Sequence, residues 1–337
     1  MRILILLKYH FIGDAIVSLP LIKGVRRLWP DAELTVLTGG GASKLLPIDP
    51  ELANVKFQPY GPRTVQRTLG GSFRLTMESL RYAMTERRKG GFDIIFVVHR
   101  SFRAGLTAWL CKGRQRVGFK HDSRGFLLTH HILFDKLKPE WESTLGLLQC
   151  LVPEKPDAPY PHRPVLNFDA KYLAPTATFP PSGEGPLIGV QPGASGEDKR
   201  WPIERMAALS DALIEKHRAR IVIIGGPDER NAADILLRHM KYPVACDTTG
   251  EKLPETCGIM AQLRLYIGND TGLNHIAAAV GCPTVCLFGP TVHQKWGRSW
   301  HPHRVVASPD GTMAGIIVDA ALSAVEGLLD ALENPPA

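Results

Sequence analysis

The sequence predicts an α/β protein built from two similar domains, each an open parallel sheet flanked by helices. Three observations carry this. Apolar runs of four to seven residues alternate with stretches of helical periodicity, the pattern of buried parallel strands joined by crossover helices. The alternation is interrupted by the Pro-rich segments 153–164 and 175–186 and then restarts. At 337 residues the chain is long enough for two separate cores.

Residues 2–7 (RILILL) form the first strand, closed by Gly13-Asp14. Helix 15–28 follows, with Ile16, Leu19, Ile22, Val25 and Leu28 on one face and Trp29-Pro30 as its stop. Strands are expected at 33–38, near 54–58, at 93–98 and at 116–119. A basic loop and helix span 61–89, and further helices span 101–111 and about 142–151. After the Pro-rich region, strands are expected at 187–191, 220–224, 243–246, 264–268 and 283–288. Helices at 203–217, 229–240, 253–262, 273–280 and about 315–333 separate or follow them. The domains are therefore set at 1–165 and 187–337, with 166–186 as linker and the ligand cleft expected between them.

Composition excludes several classes. No apolar stretch approaches a bilayer span, and the apolar N-terminus reads as a core strand rather than a signal peptide. Six cysteines without a CxxC pair suit a reducing cytoplasm and give no zinc-ligand spacing. Residues 1–165 hold 25 Lys/Arg against 14 Asp/Glu (+11), whereas residues 166–337 hold 15 against 19 (−4). The first half is thus expected to meet something anionic, although a solvated basic surface has the same signature. It carries no recognition motif or aromatic platform for nucleic acid.

In parallel α/β sheets ligands bind beyond the carboxyl ends of strands, where helix N-termini present free N–H groups. Four segments sit there. In Ile267-Gly268-Asn269-Asp270-Thr271-Gly272-Leu273-Asn274-His275, Asp270 or Thr271 is placed to cap a helix whose first N–H groups form a phosphate cradle. Gly272 permits close approach, and His275 lies one turn on. Gln191 to Pro202 (QPGASGEDKRWP) offers a glycine loop with Ser195 and Lys199 for a diphosphate. Gly225-Gly226-Pro227-Asp228-Glu229 offers a carboxylate for ribose hydroxyls. Gly13-Asp14 offers a carboxylate that local physics reads equally as a helix cap or a general base. Walker, nucleophile-elbow and zincin motifs are absent, as is a DxD-like pair for a metal–diphosphate.

IGNDTGLNHIAAAVGCPTVCLFGPT (267–291) closely resembles the donor-binding segment of bacterial heptosyltransferases in glycosyltransferase family 9. KYHFIGDAIVSLPLIKGVRRLWPDAELTVLTG (8–39) resembles that family's opening, and PGAS…KRWP (192–202) and GGPDE (225–229) resemble its donor loops. The resemblance implies a GT-B fold of two Rossmann-like domains with parallel sheets facing across a cleft, acceptor in the first and nucleotide-sugar in the second. The last helix is then a candidate to pack back on the first domain. It implies an inverting enzyme without cofactor or metal, moving heptose from ADP-heptose to an anionic glycan or glycolipid such as the lipopolysaccharide inner core. Asp14 becomes the catalytic base, supported by Lys8 and Gly13. Ser195, Lys199, Glu229, Asp270, Thr271, Gly272 and His275 become donor-binding residues. Arg63, Arg67, Arg100, Arg103 and Arg124 are candidates for the acceptor. The expected location is the cytoplasm, with peripheral contact at the inner face of its membrane. Alternatives on the same fold are a transferase for another nucleotide-sugar or a small-molecule acceptor, a nucleotide-sugar epimerase, and a non-catalytic binding protein.

Overall fold

A computed structural model describes residues 1–7, 11–59, 69–120, 122–152, 161–173, 183–296 and 302–334, with the side chains of 69–75 and 122–124 outside that description. The chain divides into two units, Met1–Asn167 and Phe168–Ala337.

The first unit runs β1 (Arg2–Leu6), α1 (Ile12–Ile16), α2 (Leu19–Leu28), β2 (Glu33–Thr38), α3 (Gly40–Leu45), β3 (Lys56–Pro59), α4 (Leu69–Arg88), β4 (Ile94–Val97), α5 (Phe102–Leu110), β5 (Gln115–Lys120), β6 (His130–Leu133) and α6 (Glu140–Leu151). Its strands are all parallel, in the order β3-β2-β1-β4-β5-β6. One sheet face buries Leu4, Leu6, Leu37, Ile95 and Val97 against Ala83 of α4 and Ala108 of α5. The helix expected over 15–28 begins earlier, at Ile12, and breaks at Val17-Ser18. Ser18 turns back to donate to the Asp14 carbonyl (2.7 Å), and Thr144 of α6 donates to the Val17 carbonyl (3.1 Å). The carbonyls at the break are thus satisfied, as buried backbone requires. Beneath α2, the fully buried Lys23 ammonium lies 2.6 Å from Asp49 and 3.4 Å from Glu51. Asp49 also accepts the backbone N–H of Asn167 (2.8 Å), so this ion pair ties the end of the unit to its centre.

The second unit runs β7 (Leu187–Gln191), α7 (Ile203–His217), β8 (Arg220–Ile223), α8 (Arg230–His239), β9 (Cys246–Asp247), α9 (Leu253–Ala261), β10 (Leu265–Asn269), α10 (Gly272–Ala279), β11 (Thr284–Phe288), α11 (His293–Trp296), β12 (His303–Ala307) and α12 (Val318–Glu333). Its parallel order, β12-β11-β10-β7-β8-β9, is the order of the first sheet over again. Ala321, Leu322, Val325, Leu328 and Leu329 of α12 close this unit's own core, together with Trp201 and strands β7, β10 and β11. The apolar face of the last helix, a candidate for the first domain, is therefore used within the second. Residues 170–172, expected in the linker, form a short turn whose Tyr172 carbonyl touches α9 at Gly258, where a side chain would collide. None of the six cysteines is in a disulfide, and five of them are buried. Among the described residues no helix is long and apolar enough to cross a membrane.

Candidate active site

Each sheet has a switch point, between β1 and β4 in the first and between β7 and β10 in the second, where the chain direction of winding reverses. That is where such folds hold ligands.

In the second unit the loops after β7, β8, β10 and β11 converge there. Thr271 holds the N-cap position of α10, yet its side chain makes no capping bond. Its hydroxyl donates instead to Gln191 Oε1 (2.7 Å). The neighbouring Asp270 is not a cap either: its carboxylate accepts from Thr291 (2.9 Å) and lies 3.2 Å from Lys199 Nζ. The first-turn N–H groups of α10, which have no intrahelical acceptor, are left without a side-chain cap and beside a cation. Expectation and structure part here. A Thr or Asp at this position ordinarily closes its own helix, but both are held by longer-range partners.

Asn269 fixes the loop frame. Its amide donates to the Gly193 carbonyl (2.8 Å) and accepts from the Trp201 N–H (3.1 Å). Of the two acids after β8, Asp228 is exposed and Glu229 turns inward. Glu229 accepts from the Gly226 N–H (2.8 Å) and from Gln191 Nε2 (2.9 Å). Gly193 lies against this carboxylate so closely that any Cβ there would push the Glu229 side chain from its place. Burial pushes the Glu229 carboxyl above its ordinary range, against the opposing pull of the Gly226 and Gln191 hydrogen bonds and of Arg200.

The structure thus brings Lys199, Glu229, Asp270, Thr271 and Gly272 to one end of one sheet. Ser195 stands exposed on its loop. His275 is buried, its ring edge-on to Trp296 with centroids 5.5 Å apart. Sequence reading missed Gln191 as a site residue. Its only signal was a polar side chain ending an otherwise apolar strand.

In the first unit Asp14 is buried on the first turn of α1, with Gly13 beside it. Nearby in the fold, Leu6, Leu7, His99, Ser101, Arg103 and Thr107 line a small crevice at the switch point. Arg103 reaches Thr76 (3.5 Å). Arg100 is committed inside the unit, 3.0 Å from the buried Glu140 and stacked 3.9 Å from the centroid of Phe134. Lys8, Arg63, Arg67 and the side chain of Arg124 lie outside the described residues. Burial pushes the Cys111 and Cys257 thiols up to about 12, far from a reactive thiolate.

Residues 81–314 match the sequence profile of glycosyltransferase family 9 (heptosyltransferase). The chain belongs to this family. Its relatives include the lipooligosaccharide heptosyltransferase 2 of Haemophilus ducreyi, 28% identical over 297 residues, covering 83% of this chain and 81% of that one. The lipopolysaccharide heptosyltransferase 2 of Escherichia coli K12 is 26% identical, over 88% and 85% of the two chains. Among solved structures, the E. coli ADP-heptose lipopolysaccharide heptosyltransferase II superposes with a TM-score of 0.75 at 23% identity, covering 99% of this chain and all of that one. An E. coli heptosyltransferase solved with ADP gives 0.75 at 19% identity, covering 97% of this chain and all of that one. The GT-B fold and a glycosyltransferase activity follow. A UDP-N-acetylglucosamine 2-epimerase shares the fold at a TM-score of 0.52 and 13% identity, covering all of this chain and 88% of that one. The family profile, not the fold, separates transferase from epimerase.

Proposed function

We propose that this family 9 enzyme transfers heptose from ADP-heptose to an anionic acceptor of the lipopolysaccharide inner-core class, with inversion and without a metal. The carrying observation is the uncapped N-terminus of α10 beside Lys199. A diphosphate leaving group needs its growing charge stabilised, and open helix N–H groups with one ammonium supply that. Asp270, held between Lys199 and Thr291, is placed for sugar hydroxyls, and Glu229 for ribose. Asp14 takes the proton of the acceptor hydroxyl as it attacks the anomeric carbon opposite the departing diphosphate, through an oxocarbenium-like state. The excess of Lys and Arg in residues 1–165 favours an anionic acceptor and salt-sensitive contact with the inner face of the cytoplasmic membrane. The ADP-heptose preference draws on the names of the relatives, which are themselves heptosyltransferases.

The test is to incubate the protein with ADP-heptose and a panel of inner-core acceptors, following ADP release and acceptor mass together. Acceptor-dependent ADP release with a heptose-sized mass gain is expected. ADP released without acceptor, or an isomerised sugar nucleotide, refutes the transferase reading. No ADP release with any acceptor refutes the donor or acceptor assignment.

A further inference from the structure

Gln191 is the last residue of β7 and is buried at the switch point of the second sheet. Its oxygen accepts two hydroxyl hydrogens, from Tyr266 (2.7 Å) and Thr271 (2.7 Å). Its nitrogen donates to Glu229 Oε1 (2.9 Å). The orientation of this amide follows from chemistry. Rotated by half a turn, it would press its oxygen against a carboxylate, acceptor against acceptor. An ionised Glu229 therefore locks the amide, and the locked amide dictates where the two hydroxyl hydrogens point.

The consequences reach both sides of the site. Thr271 spends its one hydrogen on Gln191 and keeps only lone pairs for a ligand. Turned toward Gln191, its side chain makes no capping bond to α10, whose first N–H groups are left without a side-chain cap. Glu229 has each oxygen fixed by one donor, Gln191 on Oε1 and Gly226 on Oε2, with a lone pair left on each. We infer that Gln191 is a positioning residue that sets the hydrogen-bond polarity of the donor site, presenting Glu229 as an acceptor for the ribose hydroxyls and Thr271 as one for the transferred sugar, and leaving the α10 N–H groups to the phosphates. This rests on the reading of the second unit as the donor site. It makes selection for a hydroxyl-bearing ribose a property of a side chain that need not touch the ribose.

The experiment is calorimetric binding of ADP, 2′-deoxy-ADP and 3′-deoxy-ADP to wild type, Gln191→Glu, Gln191→Met and Thr271→Val, with thermal melting as the check on folding. Wild type is expected to prefer ADP over at least one deoxy analogue by about tenfold or more, the scale of a hydrogen bond to a charged group. Gln191→Glu still accepts from Tyr266 and Thr271 but turns an acceptor toward Glu229. It should weaken ADP about tenfold, leave the deoxy analogue nearly unchanged and so bring their ratio toward one. Gln191→Met should do the same. Thr271→Val leaves the Gln191–Glu229 bond in place and should keep discrimination. Equal losses for ADP and its analogues in Gln191→Glu would show a merely structural role and overturn the inference, as would unchanged ADP binding or lost discrimination in Thr271→Val. Should the methionine variant fail to fold, the glutamate variant alone decides. A wild-type chain that binds no ADP refutes the donor reading instead. UDP, GDP and CDP with their deoxy forms then put the same question to Gln191.

Discussion

The two units share one strand order, yet they prepare their switch points differently. In the second, nearly every polar group around α10 is fixed by a partner from another loop: Thr271 by Gln191, Asp270 by Lys199 and Thr291, Glu229 by Gln191 and Gly226. In the first, Asp14 rides on a five-residue helix that α6 steadies through Thr144, and Arg100 is turned inward onto Glu140. One sheet end holds a cradle of mutually fixed groups, and the other holds the buried carboxylate of Asp14 on a short helix. A departing diphosphate needs many fixed dipoles, whereas removing a proton needs one base.

That contrast can be broken by four measurements. The largest effect is expected in the first unit. Asp14→Asn should lower kcat by about 10²–10⁴ with ADP affinity unchanged, checked by turnover at saturating donor and by calorimetry. A comparable loss of ADP affinity would erase the division of labour. Next, Asp49→Ala leaves Lys23 buried without its closest counter-charge and should cost about 3–5 kcal/mol of stability, read from denaturant unfolding. A change below about 1 kcal/mol would mean that the pair is no more than a surface bridge. In the second unit, Lys199→Ala should lower kcat by about 10²–10³ and weaken ADP as well, because the ammonium serves both ground and transition state.

The smallest effect concerns Glu229. Burial raises its carboxyl above the ordinary value, so its charge opposes folding at neutral pH and that opposition fades as pH falls. Glu229→Gln should therefore melt at or above the wild-type temperature while binding ADP about tenfold more weakly, an exchange of function for stability. Wild-type ADP affinity should also decline on acidification, starting at a higher pH than an ordinary carboxylate would allow. The glutamine variant should be flat over that range. Titration of ADP affinity against pH in both proteins decides it.

Much of the scaffold was legible in the sequence because the central strands are buried on both faces. Segments such as 187–191 and 283–288 are almost wholly apolar, and they fall at β7 and β11 within a residue. The strands that escaped reading, β6 and β12, are both sheet edges. HHIL and HRVVA are half exposed, and half exposure lets polar residues in and blurs the pattern. The site shows the same split. Lys199, Asp270 and Glu229 could be singled out as candidates because charged residues after strands announce themselves. The hydrogen bonds of Thr271 were not, since local spacing favours a cap and only the fold brings Gln191, 80 positions away, within reach. Nothing near Arg100 in sequence marks Glu140 as its partner, 40 positions on.

The six cysteines, none in a disulfide, give the enzyme a built-in clock. Five are buried and the sixth, Cys150, is partly covered near the end of α6. In the native protein a thiol reagent would label Cys150 first, and the remainder would become reactive only as the units open. Because Cys111 and Cys150 report on the first unit and Cys246, Cys257, Cys282 and Cys286 on the second, the order of modification, read by mass spectrometry of peptides, would time the opening of each half without an added probe.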